Sequence, residues 1–350
     1  MLRLHIIVPF VIALVLSSCS SSQTSTGQAK QANKSEITIA FGSCNRPDEE
    51  QTVWNKITKN KPDLWIWLGD IVYGDTEDMA KLRSDYDLQS ANADYASFSS
   101  TRDVIGIWDD HDYGVNNGGT EYPKKDSSKL ELFRFLNVSK DNPAWGRDGA
   151  YQSHLYTYGD LTVKVLLLDA RYFREEPHQS NSTILGQRQW QWLIGHLSQN
   201  EADVHIIASG IQVLPTDHKY EKWGNFKPER ERLLNIIDQL DVNTPIFISG
   251  DRHIGEMSMV ALPQSGLPIL EITSSGLTHY YESFTEEKNT KRYGAPVADI
   301  NFGLLSIEKN AGEINYYAEI KNGDNKSVLG INSADLAEEL LDIQTASVGQ

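Results

Sequence analysis

The chain has 350 residues, 39% hydrophobic and 9% aromatic, enough for a packed core in one large domain or two modest ones. Its formal net charge of −16 excludes the basic footprint of a general nucleic-acid binder, so no nucleic-acid-binding surface is expected. An anionic substrate stays open, because a bound cation reverses the local field.

Arg3 gives a short basic start, and Leu4 to Leu16 is an apolar stretch too short to span a membrane. It runs into Leu16-Ser17-Ser18-Cys19, which resembles a bacterial lipoprotein box. The expectation is a signal peptide over residues 1–19, with Cys19 lipidated and the protein anchored to a membrane of the bacterial cell envelope, outside the cytoplasm. The alternative is an ordinary secretory peptide cleaved nearby. Residues 20–35 are rich in Ser, Thr, Gln and Asn and read as a flexible tether. With Cys19 lipidated, Cys44 is the remaining thiol of an exported protein.

The first strand is expected over Ile37 to Phe41, and a helix over Gln51 to Lys59, where Val53, Trp54 and Ile57 recur at helical spacing before Lys61-Pro62. Leu64 to Leu68 has no helical period and reads as a strand buried on both faces. A surface helix suits Asp75 to Asp87, and Asn92 to Arg102 reads as irregular before a strand ending at Trp108. Tyr113 to Asp126 is glycine- and asparagine-rich and reads as a loop, followed by a helix to Leu136 with Ser127 or Ser128 as cap. Tyr151–Tyr158 and Leu161–Leu168 flank Gly159-Asp160 as a hairpin. Then come a helix at Gly186–Ser198, a strand at Val204–Ala208, a helix at Pro228–Leu240 and a strand at Ile246–Ser249. Met257–Leu262, Ile269–Thr273, Phe302–Glu308 and Ile314–Lys321 are strand-like with no helices between them. The order gives an α/β fold of two packed sheets with helices outside, in one domain over residues 36–325. Residues 326–350 read as a C-terminal tail carrying at most a short helix at Ser333 to Leu341.

Four of these strands stop at side chains able to bind metal. They run into Gly42-Ser43-Cys44-Asn45, Gly69-Asp70-Ile71-Val72-Tyr73, Asp109-Asp110-His111-Asp112 and Gly250-Asp251-Arg252-His253. In open α/β sheets ligands bind at this strand edge. Asp70 and Tyr73 are three apart across a turn and can reach one ion, which the Cys44 thiol could share. Thiolate, phenolate and carboxylate together suit a small trivalent cation such as Fe3+. Asp110, Asn116 and Asp251 add oxygen ligands that suit a harder ion such as Ca2+ or Mg2+, and His253 adds a ring nitrogen. Either Asp109 or Asp110 could face the ion.

These motifs, with Asp169-Ala170-Arg171-Tyr172 and Gly210-Ile211-Gln212, resemble in content and order the PhoD-like (phosphodiesterase/alkaline phosphatase D) branch of the calcineurin-like metallophosphoesterases. The resemblance covers residues 37 to 308. It implies a four-layer α/β/β/α sandwich of two mixed sheets and a two-metal centre of Fe3+ and Ca2+ that hydrolyses phosphate esters. By position it implies Cys44, Asp70 and Tyr73 on the ferric ion with Asp70 bridging, Asp110, Asp251 and His253 as further ligands, and His111 assisting the leaving group. Gln212 stands where many relatives have a ligand histidine. Arg171 is expected as a phosphate fork, the alternative being a structural salt bridge, and Arg252 is expected to point away from the metals.

Two other function classes remain. One is a glycan hydrolase using paired aspartates, which leaves Cys44 and Tyr73 without a role. The other is a surface lipoprotein that uses calcium to hold its binding loops.

Overall fold

The structure, a computed structural model, describes residues 34–179 and 181–348, so the expected signal peptide and Cys19 lie outside the described residues. No helix among the described residues is long and apolar enough to cross a membrane. In chain order the first half holds β1 (Glu36–Gly42), α1 (Val53–Lys59), β2 (Leu64–Leu68), α2 (Met79–Ala91), α3 (Ala93–Ser99), β3 (Asp103–Ile107), the single turn α4 (Asp110–Tyr113) and α5 (Lys125–Phe135). There follow β4 (Gln152–Tyr158), β5 (Leu161–Leu168), α6 (Gly186–Ser198), β6 (Val204–Ser209), α7 (Lys227–Gln239) and β7 (Pro245–Ser249). The last part is almost all strand: β8 (Gly255–Ala261), β9 (Pro268–Ser274), β10 (Arg292–Val297), β11 (Asn301–Asn310), β12 (Glu313–Asn322) and β13 (Ser327–Asn332), then α8 (Leu336–Val348).

The strands form two sheets, ordered β13-β12-β11-β1-β2-β3 and β10-β8-β9-β7-β6-β5-β4. Both are mixed: β1, β2 and β3 are parallel, as are β5, β6, β7 and β9, while the flanking strands run antiparallel. Period-two alternation explains the layering. Along β5, Val163, Val165 and Leu167 point into the core between the sheets, whereas Leu166 and Leu168 point outward beneath α6 and α7. On the outer face of the first sheet, Trp65 and Trp67 of β2 meet Trp54 of α1 edge to face at 4.9 and 5.3 Å. Helices cover both outer faces, which is the four-layer α/β/β/α arrangement.

Three local expectations are corrected. Residues 92–102 are not irregular: Asn92 accepts the backbone N–H groups of Asp94 and Tyr95 and so caps α3, whose Tyr95 packs on Trp54. The domain does not stop at 325, because β13 pairs antiparallel with β12 and closes the first sheet. β10 carried no strand signal, since its register with β8 shifts between Tyr293 and Val297 and none of its residues is fully buried.

Candidate active site

The strand-end turns are held in unusual backbone conformations. Cys44, Asp70, Asp251 and His253 have φ of 60°, 47°, 71° and 55°, in the left-handed region that side chains normally avoid. Surrounding hydrogen bonds impose it. The Asp112 carboxylate accepts the backbone N–H groups of Asp109 at 2.7 Å, Ile71 at 3.1 Å and Asp70 at 3.3 Å, tying the end of β2 to the end of β3. Gly69, at φ 90°, lies so close to Asp109 that a Cβ there would overlap it. A Cβ on Gly250 would overlap the Ser43 hydroxyl and come 2.8 Å from the Leu68 carbonyl oxygen. The repeated Gly-Asp pattern therefore records where the ends of β1, β2, β3 and β7 crowd together.

This crowding gathers the expected ligands. The Cys44 thiol donates to Asp70 Oδ2 at 3.5 Å, and the Tyr73 hydroxyl is also 3.5 Å from Asp70 Oδ2. Tyr73 also lies 3.0 Å from His253 Nε2. Three overlapping groups each place their donor atoms within 4.8 Å of one another: Cys44, Asp70 and His253; Asp70, Asp110 and His111; and Asp109, Asp110 and Asp251. Asp70 and Asp110 each belong to two of them, as a bridging carboxylate would. Asp70, Asp110, Asp251 and His253 line a cleft of about 710 Å3, in the range of small-molecule sites. Asn116 sits exposed on its rim.

Without a cation the group is electrostatically uncomfortable. Burial, reinforced by Asp70, pushes the Cys44 thiol well above its ordinary range, and burial with Asp110 does the same to Asp70. Burial and Asp109 raise Asp251, and burial and Cys44 raise the Tyr73 phenol. Burial lowers His253 to about 4, keeping its ring neutral and able to bind metal. Asp70 Oδ1 is buried with no hydrogen-bond partner. Soft and hard donors converge with an unpartnered carboxylate oxygen among them, and the residues fit a resident metal centre.

His279 joins the site although its spacing gave no hint of it. Its Nε2 is 3.0 Å from the Tyr73 hydroxyl and its ring centroid 4.6 Å from that of His253. The one available signal was that β9 also runs into a polar, glycine-containing turn, Ser274-Ser275-Gly276.

Arg171 does not reach the cleft. It is fully buried, donates from Nε to Asp109 Oδ1 at 2.7 Å and pairs through Nη1 with Glu221 at 2.6 Å, so it is a structural salt bridge and not a phosphate fork. The pairing takes one oxygen of Asp109; its other oxygen has no partner, and Asp109 stays grouped with Asp251 and with Asp110, which lines the cleft. Gln212 donates to Glu256 at 2.7 Å and Thr273 at 2.8 Å, which anchors it in the second sheet. Arg252, expected to point away, lines the cleft. His111 lines it too, with Nδ1 2.9 Å from both carboxylate oxygens of Asp75.

Comparison with known proteins agrees with this fold. The family profile of the PhoD-like phosphatases matches residues 140–316. Alkaline phosphatase D of Bacillus subtilis (strain 168) is 25% identical over an alignment covering 66% of this chain and 48% of that protein, so the chain spans about half the length of this relative. The solved structure of PhoD superposes with a TM-score of 0.68 at 18% identity, covering 87% of this chain and 69% of that one. A dimetal phosphatase from Danio rerio gives 0.51 at 14% identity, covering 86% and 99%. At these identities the superpositions show the shared fold, and the family rests on the sequence match. The chain belongs to the PhoD-like phosphatase family, a branch of the calcineurin-like metallophosphoesterases.

Proposed function

We propose that this chain is a metal-dependent phosphoesterase that hydrolyses phosphate esters of the alkaline phosphatase and phosphodiesterase type. The observation that carries the reading is that the Cys44 thiol and Tyr73 phenol meet Asp70 and His253, which line one cleft with Asp110 and Asp251, in a PhoD-like chain. Cys44, Asp70 and Tyr73, with His253 alongside, would hold Fe3+, and Asp110 and Asp251, with Asn116 at the rim, would hold Ca2+. Bound there, the ions supply neutralisation of phosphate charge and acidification of water.

The chain's own groups supply the proton. His111 has its Nδ1 paired with Asp75, which fixes the ring and leaves Nε2 for a leaving oxygen. Burial alone would lower its pKa, but the Asp75 bond and the Asp110 charge more than offset this and raise it, favouring the protonated form a donor needs. The Tyr73 ring lies 4.3 Å from the His111 ring and restricts its tilt. Asp112 holds the two turns in register, so the donor groups need little rearrangement to act.

The test is elemental analysis of the folded chain lacking residues 1–19, purified without chelators, together with turnover of 4-nitrophenyl phosphate and its bis-ester. Near-stoichiometric iron and calcium with turnover of either ester is expected. Folded protein with no bound metal and no turnover overturns the reading, and calcium without turnover turns it into that of a binding lipoprotein. The lipobox-like Leu16 to Cys19 supports an extracytoplasmic, lipid-anchored enzyme. Absence of labelled fatty acid from the wild-type protein would overturn that placement, and label that survives Cys19→Ala would remove Cys19 as its site.

A further inference from the structure

The Tyr73 hydroxyl meets two imidazoles at the same distance: His253 Nε2 and His279 Nε2 each lie 3.0 Å from it. The two rings are not equivalent. His253 groups with Cys44 and Asp70, all three donor atoms within 4.8 Å of one another, whereas His279 belongs to no such group among the described residues. The hydrogen bond that joins His279 to the ligand set is the one to the Tyr73 oxygen.

His279 is also held from behind. It follows β9 in a stretch stitched to the Cys44 turn: the backbone N–H of Leu277 donates to the Ser43 carbonyl at 3.2 Å, and that of Thr278 to the Cys44 carbonyl at 3.4 Å. The Thr278 hydroxyl lies 3.1 Å from His279 Nδ1 and accepts the Arg46 backbone N–H at 2.9 Å. A hydroxyl has one proton and two acceptor sites, so Thr278 can give its proton to Nδ1 while it accepts from Arg46. The His279 ring crosses the Tyr73 ring at 66° with centroids 5.1 Å apart, and the His253 ring at 80°. Both nitrogens are thus engaged, with Nε2 aimed at the phenol oxygen.

The protons decide what this arrangement does. Tyr73 carries one, and binding a metal as phenolate releases it to solvent. A phenolate oxygen only accepts, so a bond from His279 then requires a proton on Nε2. Thr278, as donor to Nδ1, favours that tautomer. An N–H bonded to an anionic oxygen is a strong, charge-assisted contact that draws electron density from it. The ion that shares this oxygen then keeps more of its positive charge.

We propose that His279 is a positioning residue that acts through Tyr73: its Nε2–H holds the phenolate in place and tempers its donation, so that the ion held with Cys44 and Asp70 stays the stronger Lewis acid. The inference rests on the reading of Tyr73 as an iron ligand given above and deepens it. It gives His279 no contact with substrate.

The readout is the visible phenolate-to-iron absorption band of the iron-loaded enzyme, with turnover of 4-nitrophenyl phosphate or its bis-ester measured alongside. His279→Phe keeps a ring and removes the donor at a half-buried position. It is expected to retain iron, move the band to longer wavelength and slow turnover about 10- to 100-fold, the scale for groups that orient a metal ligand. His279→Gln, whose amide N–H can stand in for Nε2–H, is expected to return the band towards its wild-type position. A band unmoved in His279→Phe overturns the role. Should that variant lose its iron or not fold, the unmodified enzyme decides. Its resonance Raman tyrosinate bands are expected to shift between H2O and D2O, because the Nε2 proton exchanges, and identical spectra overturn the role. Ester turnover by iron-loaded wild type that shows no phenolate band removes Tyr73 from the ion and the role of His279 with it, while leaving the phosphoesterase standing.

Discussion

Two clusters of buried charge meet at Asp109 and are compensated in opposite ways. In one, Arg171 pairs with Asp109 and Glu221, and Arg174 pairs with Glu221, so each anion has a guanidinium beside it. In the other, Asp70, Asp110 and Asp251 crowd together with Cys44, and no Lys or Arg forms an ion pair with any of the three among the described residues. The first cluster is closed on itself and ties β3, through Asp109, to the loops after β5 and β6. The second is short of positive charge, and its turns are held by backbone N–H groups of Asp70 and Ile71 that donate to the Asp112 carboxylate. Identical residue types thus serve architecture where a guanidinium is supplied, and await an ion where none is.

Removing a carboxylate from the open cluster should abolish function without harming the fold. Asp70→Asn is expected to lose both metals and lower turnover by about 10³-fold, the scale for a group that stabilises transition-state charge. Its chelator-treated form should unfold in urea no earlier than chelator-treated wild type, because a repulsive buried charge has gone; a clear loss there would make Asp70 structural. The closed cluster should behave in reverse. Arg171→Met strands the buried Asp109, leaves Glu221 to Arg174 alone, and is expected to cost about 3–5 kcal/mol of stability, read by urea unfolding. Full stability with lost turnover would return Arg171 to the phosphate. Cys44→Ser should sit below both in effect, losing iron while keeping calcium and slowing turnover about 100-fold, as altered ligand shells do. Unchanged iron content would remove Cys44 from the centre.

The open cluster was legible in the sequence because its geometry follows from local rules. Each ligand stands within a few residues of an apolar strand end, and the parallel strands carry those ends to one edge. The closed cluster was not, because Glu221 lies in a loop with no periodicity and its contact with Arg171 exists only after β5 and β6 pair. Nothing in the spacing could place His279 for the same reason, since it touches Tyr73 across 206 residues of sequence. At the level of the fold, strands alternating with helices and then giving way to strands alone announced two sheets. β13 is half exposed at an edge and offered little apolar pattern to read.

A third buried carboxylate sharpens the contrast at the smallest scale. Glu271 on β9 forms no ion pair among the described residues, although the Arg230 charge acts on it from nearby, and it accepts the backbone N–H groups of Val213 at 2.8 Å and Leu214 at 2.6 Å. Burial outweighs these two donors and the Ser249 hydroxyl, and its pKa is raised from 4.5 to about 7. Between those values the folded chain holds a proton that the unfolded chain releases. The contribution to stability is therefore full below pH 4.5 and is lost as pH rises to about 7, by up to about 3 kcal/mol. Glu271→Gln keeps an acceptor and removes the titration. The difference in unfolding free energy between wild type and this variant should drift against wild type across that window and be flat above it. A difference independent of pH would mean that the two N–H donors compensate the charge as completely as the guanidinium groups do in the closed cluster.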